Sequence, residues 1–249
     1  MAKMLTHNKD TPKGRSVLLF SGGMDSLIFD FLLKPDILLV INHGNKYEKQ
    51  EQQSIDQLCI HNYIDGNKLV FDSSFDLSKF ERDDVIIPSR NLYFIVLAAN
   101  YGETIYIGSV SGDRTLDKST EFLNRCQEIL DYLYQEQHWC IKRDFIVSSP
   151  FKHMTKTELV SLFLQKGGNK LALLTSRSCY ESSLKPCGWC KSCFRKWVAL
   201  KNNKIDIYDY FENNPELAPW LPQLLPLIDK DEYRGKEDND IKNALGLSY

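Results

Sequence analysis

Two clusters in this 249-residue chain have residue types and spacings suited to chemistry. The first is Ser21-Gly22-Gly23-Met24-Asp25-Ser26, which follows an apolar run ending at Phe20. Adjacent glycines let backbone N–H groups turn toward one point, and a helix opening behind them adds its positive end. An anion is stabilised there. Ser21 and Ser26 add hydroxyl donors. Asp25 does not favour a phosphate directly, so its work would be to hold a magnesium ion or to cap the helix. A glycine pair alone would imply only a tight turn, but the whole pattern after a buried strand points to phosphate. It is not a Walker A loop, because no G-x-x-x-x-G-K-[ST] occurs.

The second cluster is Cys179-x7-Cys187-x2-Cys190-x2-Cys193, with Pro186 and Gly188 shaping the turn. Four thiolates at this density can close a tetrahedral zinc site, and with every position taken by sulfur the metal would be structural. An iron–sulfur cluster is the other chemistry that C-x2-C-x2-C serves. There the fourth cysteine lies downstream and precedes proline, whereas here it lies upstream, which favours zinc. The remaining three of the seven cysteines, Cys59, Cys126 and Cys140, are scattered, so a disulfide framework is not indicated.

These residues need elements to position them. Apolar runs at 16–20, 36–42, 68–72, 104–108 and 145–148 read as short buried strands. Helical segments are expected at 25–33, 47–60, 88–101, 116–137, 155–166 and 191–202. Pro88 stands near the start of one, and Thr155 with Glu158 forms a capping box at another. Residues 73–87 read as a loop, and the chain beyond 202 as irregular. Strands alternating with helices indicate an α/β fold with a parallel sheet and helices on both faces. Ligands in such sheets sit outside the carboxyl ends of the strands. Expected organisation is a nucleotide and substrate domain at 1–175, a four-cysteine segment at 176–202 packed on it, and a C-terminal extension at 203–249.

The Ser21–Ser26 loop resembles the PP-loop of the ATP pyrophosphatase superfamily. Taken with the cysteine cluster, the chain resembles the 7-cyano-7-deazaguanine synthase family from about Ser16 to Leu200. Pro88-Ser89-Arg90-Asn91-Leu92-Tyr93-Phe94 is similar to that family's P-x-R-N-x-x-F. Gly108 with Asp113, Pro150 with Thr155-Lys156-Thr157-Glu158, and Cys187-Gly188-x-Cys190-x-x-Cys193 with Arg195 also match. The resemblance implies an ATP-dependent, AMP-forming ligase. It would adenylate 7-carboxy-7-deazaguanine and use ammonia to make first the amide, then the nitrile of queuosine biosynthesis.

On that basis Phe20, Ser21, Gly22, Gly23, Asp25 and Ser26 would contact ATP with Mg2+. Arg90, Asn91, Gly108, Asp113 and Asp117 would contact the substrate. Asp25, Arg90 and Lys156 would serve catalysis, and Cys179, Cys187, Cys190 and Cys193 would bind Zn2+. Two strand tips depart from the family pattern: His43-Gly44-Asn45-Lys46-Tyr47, and the run Arg114 to Phe122, which is shorter and lacks a tyrosine and proline. They leave open a second acceptor, the amine of a partner protein, as in synthase-like proteins of antiphage defence. A PP-loop tRNA-modifying enzyme with an iron–sulfur cluster is a further alternative.

Net charge is −2 and the pI near 6.2, which argues against a direct nucleic-acid binder. The polar first sixteen residues lack the apolar run of a secretory signal, and no stretch suits a membrane span, so a cytoplasmic location is expected. Beyond the small-molecule substrate, the aromatic-rich extension would pack on the molecule itself, or meet a second copy or a protein partner.

Overall fold

The computed structural model describes residues 14–181 and 185–247. Most of the polar N-terminal segment lies outside these residues, as do 182–184 and the last two residues. The described chain begins with β1 (Ser16–Leu19), α1 (Met24–Leu33), β2 (Ile37–Ile41), α2 (Glu48–Ile60), β3 (Leu69–Asp72), α3 (Arg90–Ala98) and β4 (Thr104–Tyr106). It continues through α4 (Thr120–Leu133), β5 (Ile146–Ser148), α5 (Lys156–Gln165), α6 (Lys170–Thr175), α7 (Lys191–Asn202), α8 (Leu221–Asp229) and α9 (Lys236–Leu245).

The strands pair in parallel in the order β3-β2-β1-β4-β5. Val17 and Leu18 of β1 and Leu38 and Leu39 of β2 are buried, as expected of parallel strands covered on both faces. One face packs Leu18 and Val40 against Leu27, Ile28, Ile55, Leu159 and Phe163 of α1, α2 and α5. The other packs Val17, Leu39 and Ile105 against Ile95 and Ala98 of α3 and Leu123, Cys126 and Leu130 of α4. The strand order reverses between β1 and β4, and the crevice at their carboxyl ends is where such sheets take ligands.

Some elements are shorter than the sequence suggests. The expected helix over 116–137 is a single 3-10 turn (Leu116–Lys118) followed by α4, because Ser119 is extended and its hydroxyl caps the N–H of Phe122 at 3.1 Å. The helix expected from Pro88 begins at Arg90, since Ser89 takes a left-handed conformation. The Thr155–Glu158 capping box of α5 forms in full, with bonds of 2.8 and 3.2 Å.

The C-terminal extension is more ordered than its composition suggests. Its prolines mask the periodic apolar series Leu221, Leu224, Leu225 and Ile228, with Pro222 tolerated in the first turn of α8. Phe211, Leu221, Ile228, Tyr233 and Ile241 share a core with Cys179, Cys193, Phe194 and Trp197. Most of the extension's apolar residues are thus covered by α7 and by one another, while Tyr208 stays 93% exposed. No helix among the described residues is long and apolar enough to cross a membrane.

Candidate active site

A cavity of about 330 Å³ opens at the β1–β4 reversal. Its wall includes Phe20, Ser21, Gly23, Asp25 and Ser26 of the loop after β1, Gly108 and Asp113 after β4, and Arg90 and Asn91 from α3. Lys156 from α5 and Cys179 from the cysteine segment also reach it. The structure therefore brings together nearly every candidate outside the metal cluster. Two stand apart. Asp117 is absent from the wall: it faces α3, where its carboxylate accepts from Asn91 Nδ2 at 2.9 Å. Gly22 lies behind the loop, and its carbonyl accepts from Ser54 Oγ of α2 at 2.7 Å.

Local forces shape the loop. Gly22 has φ +68°, and a Cβ there would sit 2.9 Å from a side-chain carbon of Ile55, so both conformation and contact require glycine. Ser26 Oγ donates to the Gly23 carbonyl at 3.0 Å and braces the turn. Arg177 N–H, from the segment leading into the cysteines, donates to Ser54 Oγ at 2.9 Å and to the Gly22 carbonyl at 3.3 Å. Both α2 and the cysteine segment hold the loop from behind.

Charge in the wall is strongly biased. Seven cations (Arg90, Lys118, Lys156, Arg177, Lys191, Arg195 and Arg234) face three carboxylates, Asp25, Glu51 and Asp113. Asp25 Oδ2 is paired with Lys156 Nζ. Its Oδ1 is buried and has no hydrogen-bond partner among the described residues, an orphaned oxygen that fits a magnesium ion. Burial pulls the Lys156 ammonium below its usual range, while Asp25 opposes the shift. Arg90 donates to Tyr47 Oη at 3.2 Å and stands over the Phe94 ring at 5.7 Å. The Asp113 carboxyl is held far below its ordinary range. Burial alone would raise it, but Lys118 at 3.1 Å and Arg195 at 2.8 Å outweigh burial. That carboxylate is already engaged by two cations of the protein itself.

Glu51 was not singled out from the sequence. Its signal was its place on the face of α2 that also carries Ser54 and Ile55, both buried. Burial pushes its carboxyl up to about 7, against the lowering effect of Arg90 and a hydrogen bond from Asn45. A raised folded pKa means that the folded protein holds this proton more tightly than the unfolded chain. The resulting penalty is absent below the ordinary value of 4.5, grows as pH rises toward 7, and is complete above it. Glu51→Gln should therefore raise Tm above neutral pH and have little effect near pH 4.5. Thermal melts across that range check this, and a pH-independent change in Tm would contradict it.

The four cysteine Sγ atoms lie within 4.8 Å of one another. The Cys187–Cys193 sulfur separation is 3.9 Å, close to the edge of about 3.8 Å that a tetrahedron with metal–sulfur bonds of about 2.3 Å would have. Backbone N–H groups of Cys187, Cys190 and Cys193 approach Cys179, Cys187 and Cys190 sulfurs at 3.3 Å each, as suits charge on thiolates. The donor set fits zinc. Cys190 Sγ also caps α7, so metal binding and helix start are one feature. Because Cys179 and Tyr180 belong to the cavity wall, and Tyr180 packs on Tyr47 with ring centroids 5.1 Å apart, the centre would position one side of the pocket.

Comparisons with known proteins agree with this geometry. The profile of the family described as "Queuosine biosynthesis protein QueC" matches residues 65–204, more than half of the chain. That span includes the four clustered cysteines but begins after the Ser21–Ser26 loop. A protein called 7-cyano-7-deazaguanine synthase from Chlorobaculum tepidum is 27% identical over 231 residues, covering 81% of this chain and 98% of that protein. One of the same name from Pseudoalteromonas atlantica is 25% identical, covering 78% of this chain and 97% of its own length. A third, from Campylobacter jejuni subsp. doylei, is 28% identical over 72% of this chain.

Proposed function

The chain belongs to the QueC family of queuosine biosynthesis proteins, and from that premise we propose that it is an ATP-dependent 7-cyano-7-deazaguanine synthase that works by adenylation. The observation that carries the reading is a single cavity at the sheet's switch point. It unites the Ser21–Ser26 loop, the Asp25–Lys156 pair and an excess of cations.

In this reading the loop's N–H groups and the N-terminus of α1 hold the pyrophosphate end of ATP. A carboxylate oxygen of 7-carboxy-7-deazaguanine attacks the α-phosphorus, and pyrophosphate leaves. Ammonia then attacks the acyl carbon, giving the amide and AMP. A second ATP adenylates the amide oxygen, and loss of AMP with two protons gives the nitrile. Lys156 offsets charge on the departing pyrophosphate, and Arg90 presents its guanidinium to phosphate or carboxylate. Asp25 would hold Mg2+ through its free oxygen, and the ion supplies charge neutralisation on the phosphates. Gly108 and Asn91 border the acid. Asp113 acts by fixing Arg195 and Lys118 in the wall. Zn2+ on the four cysteines would be structural.

Incubation with MgATP, the acid and ammonia tests this, with products read by mass spectrometry. AMP together with nitrile is the expected result, and no AMP above the acid-free control would refute it. A second reading keeps the adenylation and changes the nucleophile to a partner-protein amine. It is favoured by the extension, which lies beyond the family match at 65–204 and adds Arg234 to the wall. AMP without nitrile, and a mass increment on a partner, would distinguish it.

A further inference from the structure

Arg234 lies thirty residues beyond the end of the family match, yet its side chain stands in the cavity wall. Its position is built, not incidental. Asp238, fully buried, accepts from the N–H groups of Tyr233 and Arg234 at 3.0 and 2.8 Å. Glu237, the second residue of α9, grips Arg195 with two bonds of 2.7 Å, and its own exposure is 1%. A Cβ on Gly112, at φ +84°, would fall 1.9 Å from the Glu237 carboxylate, so the loop after β4 and the extension fit only with glycine there. Arg234 Nη1 donates to the Gly112 carbonyl at 2.7 Å, and the guanidinium lies 4.9 Å from the Tyr233 ring centroid.

What this arrangement leaves over is charge. Lys156 is paired with Asp25, and Lys118 and Arg195 with Asp113. Arg234 makes no ion pair among the described residues. Its Nη2 lies 3.5 Å from Tyr233 Oη, a long contact, and its buried Nε has no hydrogen-bond partner among them. A partly desolvated guanidinium with no ion-pair partner is costly unless a ligand supplies the anion. Its planar fork suits two oxygens of one carboxylate or phosphate.

We propose that Arg234 is an anion-positioning residue of this pocket, contributed by the C-terminal extension, which takes an anionic oxygen of the acid's carboxylate or of the ATP phosphates. This rests on reading the cavity as the site for ATP and the acid. The test is calorimetric binding of MgATP, of magnesium pyrophosphate and of 7-carboxy-7-deazaguanine, each alone, to wild type, Arg234→Ala and Arg234→Lys, with Tm recorded for all three. Arg234→Ala should weaken one class of ligand tenfold or more at unchanged Tm, with part of the loss restored in Arg234→Lys. Weakening of the acid alone identifies the carboxylate, and weakening of both ATP and pyrophosphate identifies the phosphates. Wild-type affinity for all three overturns the proposal. So does a lowered Tm with all three equally weakened, which would make Arg234 a strut. If the wild type binds ATP and pyrophosphate but not the acid, the function proposed above fails. The two phosphate arms still decide Arg234, and unchanged binding in them overturns it.

Discussion

Cys190→Ser is expected to lower Tm by at least about 10 °C and to abolish stoichiometric zinc binding. Serine is a good helix N-cap, so it can still accept the Cys193 N–H that Cys190 Sγ now accepts. Loss of the metal ligand is therefore what the variant reports. Structural zinc contributes directly to folding free energy, on the order of 10 kcal/mol in small zinc domains. Loss of even about 4 kcal/mol would move the melting point of a chain this long by about 10 °C. The cost falls on a large region, because Cys179 and Cys193 share a core with Trp197 and with Phe211, Leu221 and Ile228 of the extension. Metal content by atomic emission and a thermal melt measure both effects. A soluble Cys190→Ser protein that melts like the wild type would remove the structural metal from the account.

Asp25→Asn is expected to reduce AMP formation by about 10²-fold or more in a protein that still folds, with a lower Tm because Lys156 loses its counter-charge; that is the scale of loss when one preorganised charge partner is removed from a reacting site. Asparagine keeps the shape and can still meet a neighbour, while removing the charge that faces Lys156 and that would hold magnesium. Lys156→Met should cost a similar factor. The double variant should lose much less than the product of the two, since the residues act as a unit. Single-turnover kinetics of AMP release would show this. Normal turnover by either single variant would mean that the phosphate site lies elsewhere.

Local signals made much of this molecule legible. The Ser21–Ser26 turn, the α5 capping box and the cysteine spacing are each written within about fifteen residues; the turn forms between β1 and α1 at the cavity, the capping box closes in full, and the four sulfurs come together. The buried strands were visible because parallel strands covered on both faces leave continuous apolar runs. The sequence hid what depends on distant partners. Asp113 looked free for a ligand because nothing nearby announces Arg195, 82 residues on. Asp117 looked equally available until Asn91, from another element, took its carboxylate. Arg234 carried no local mark at all. It reaches the cavity only because Asp238 and Glu237 fix the start of α9 against Gly112 and Arg195. The extension's two helices were obscured by proline and glycine, residues that usually mark loops.

Attack by an oxygen of the acid on the α-phosphorus of ATP leaves an isotopic record: 7-carboxy-7-deazaguanine labelled with 18O in its carboxylate is turned over with MgATP and ammonia, and the label is then located. AMP carrying one 18O atom, alongside unlabelled pyrophosphate, is the expected result. Label in inorganic phosphate, with ADP as the nucleotide product, would place the attack at the γ-phosphorus and contradict it.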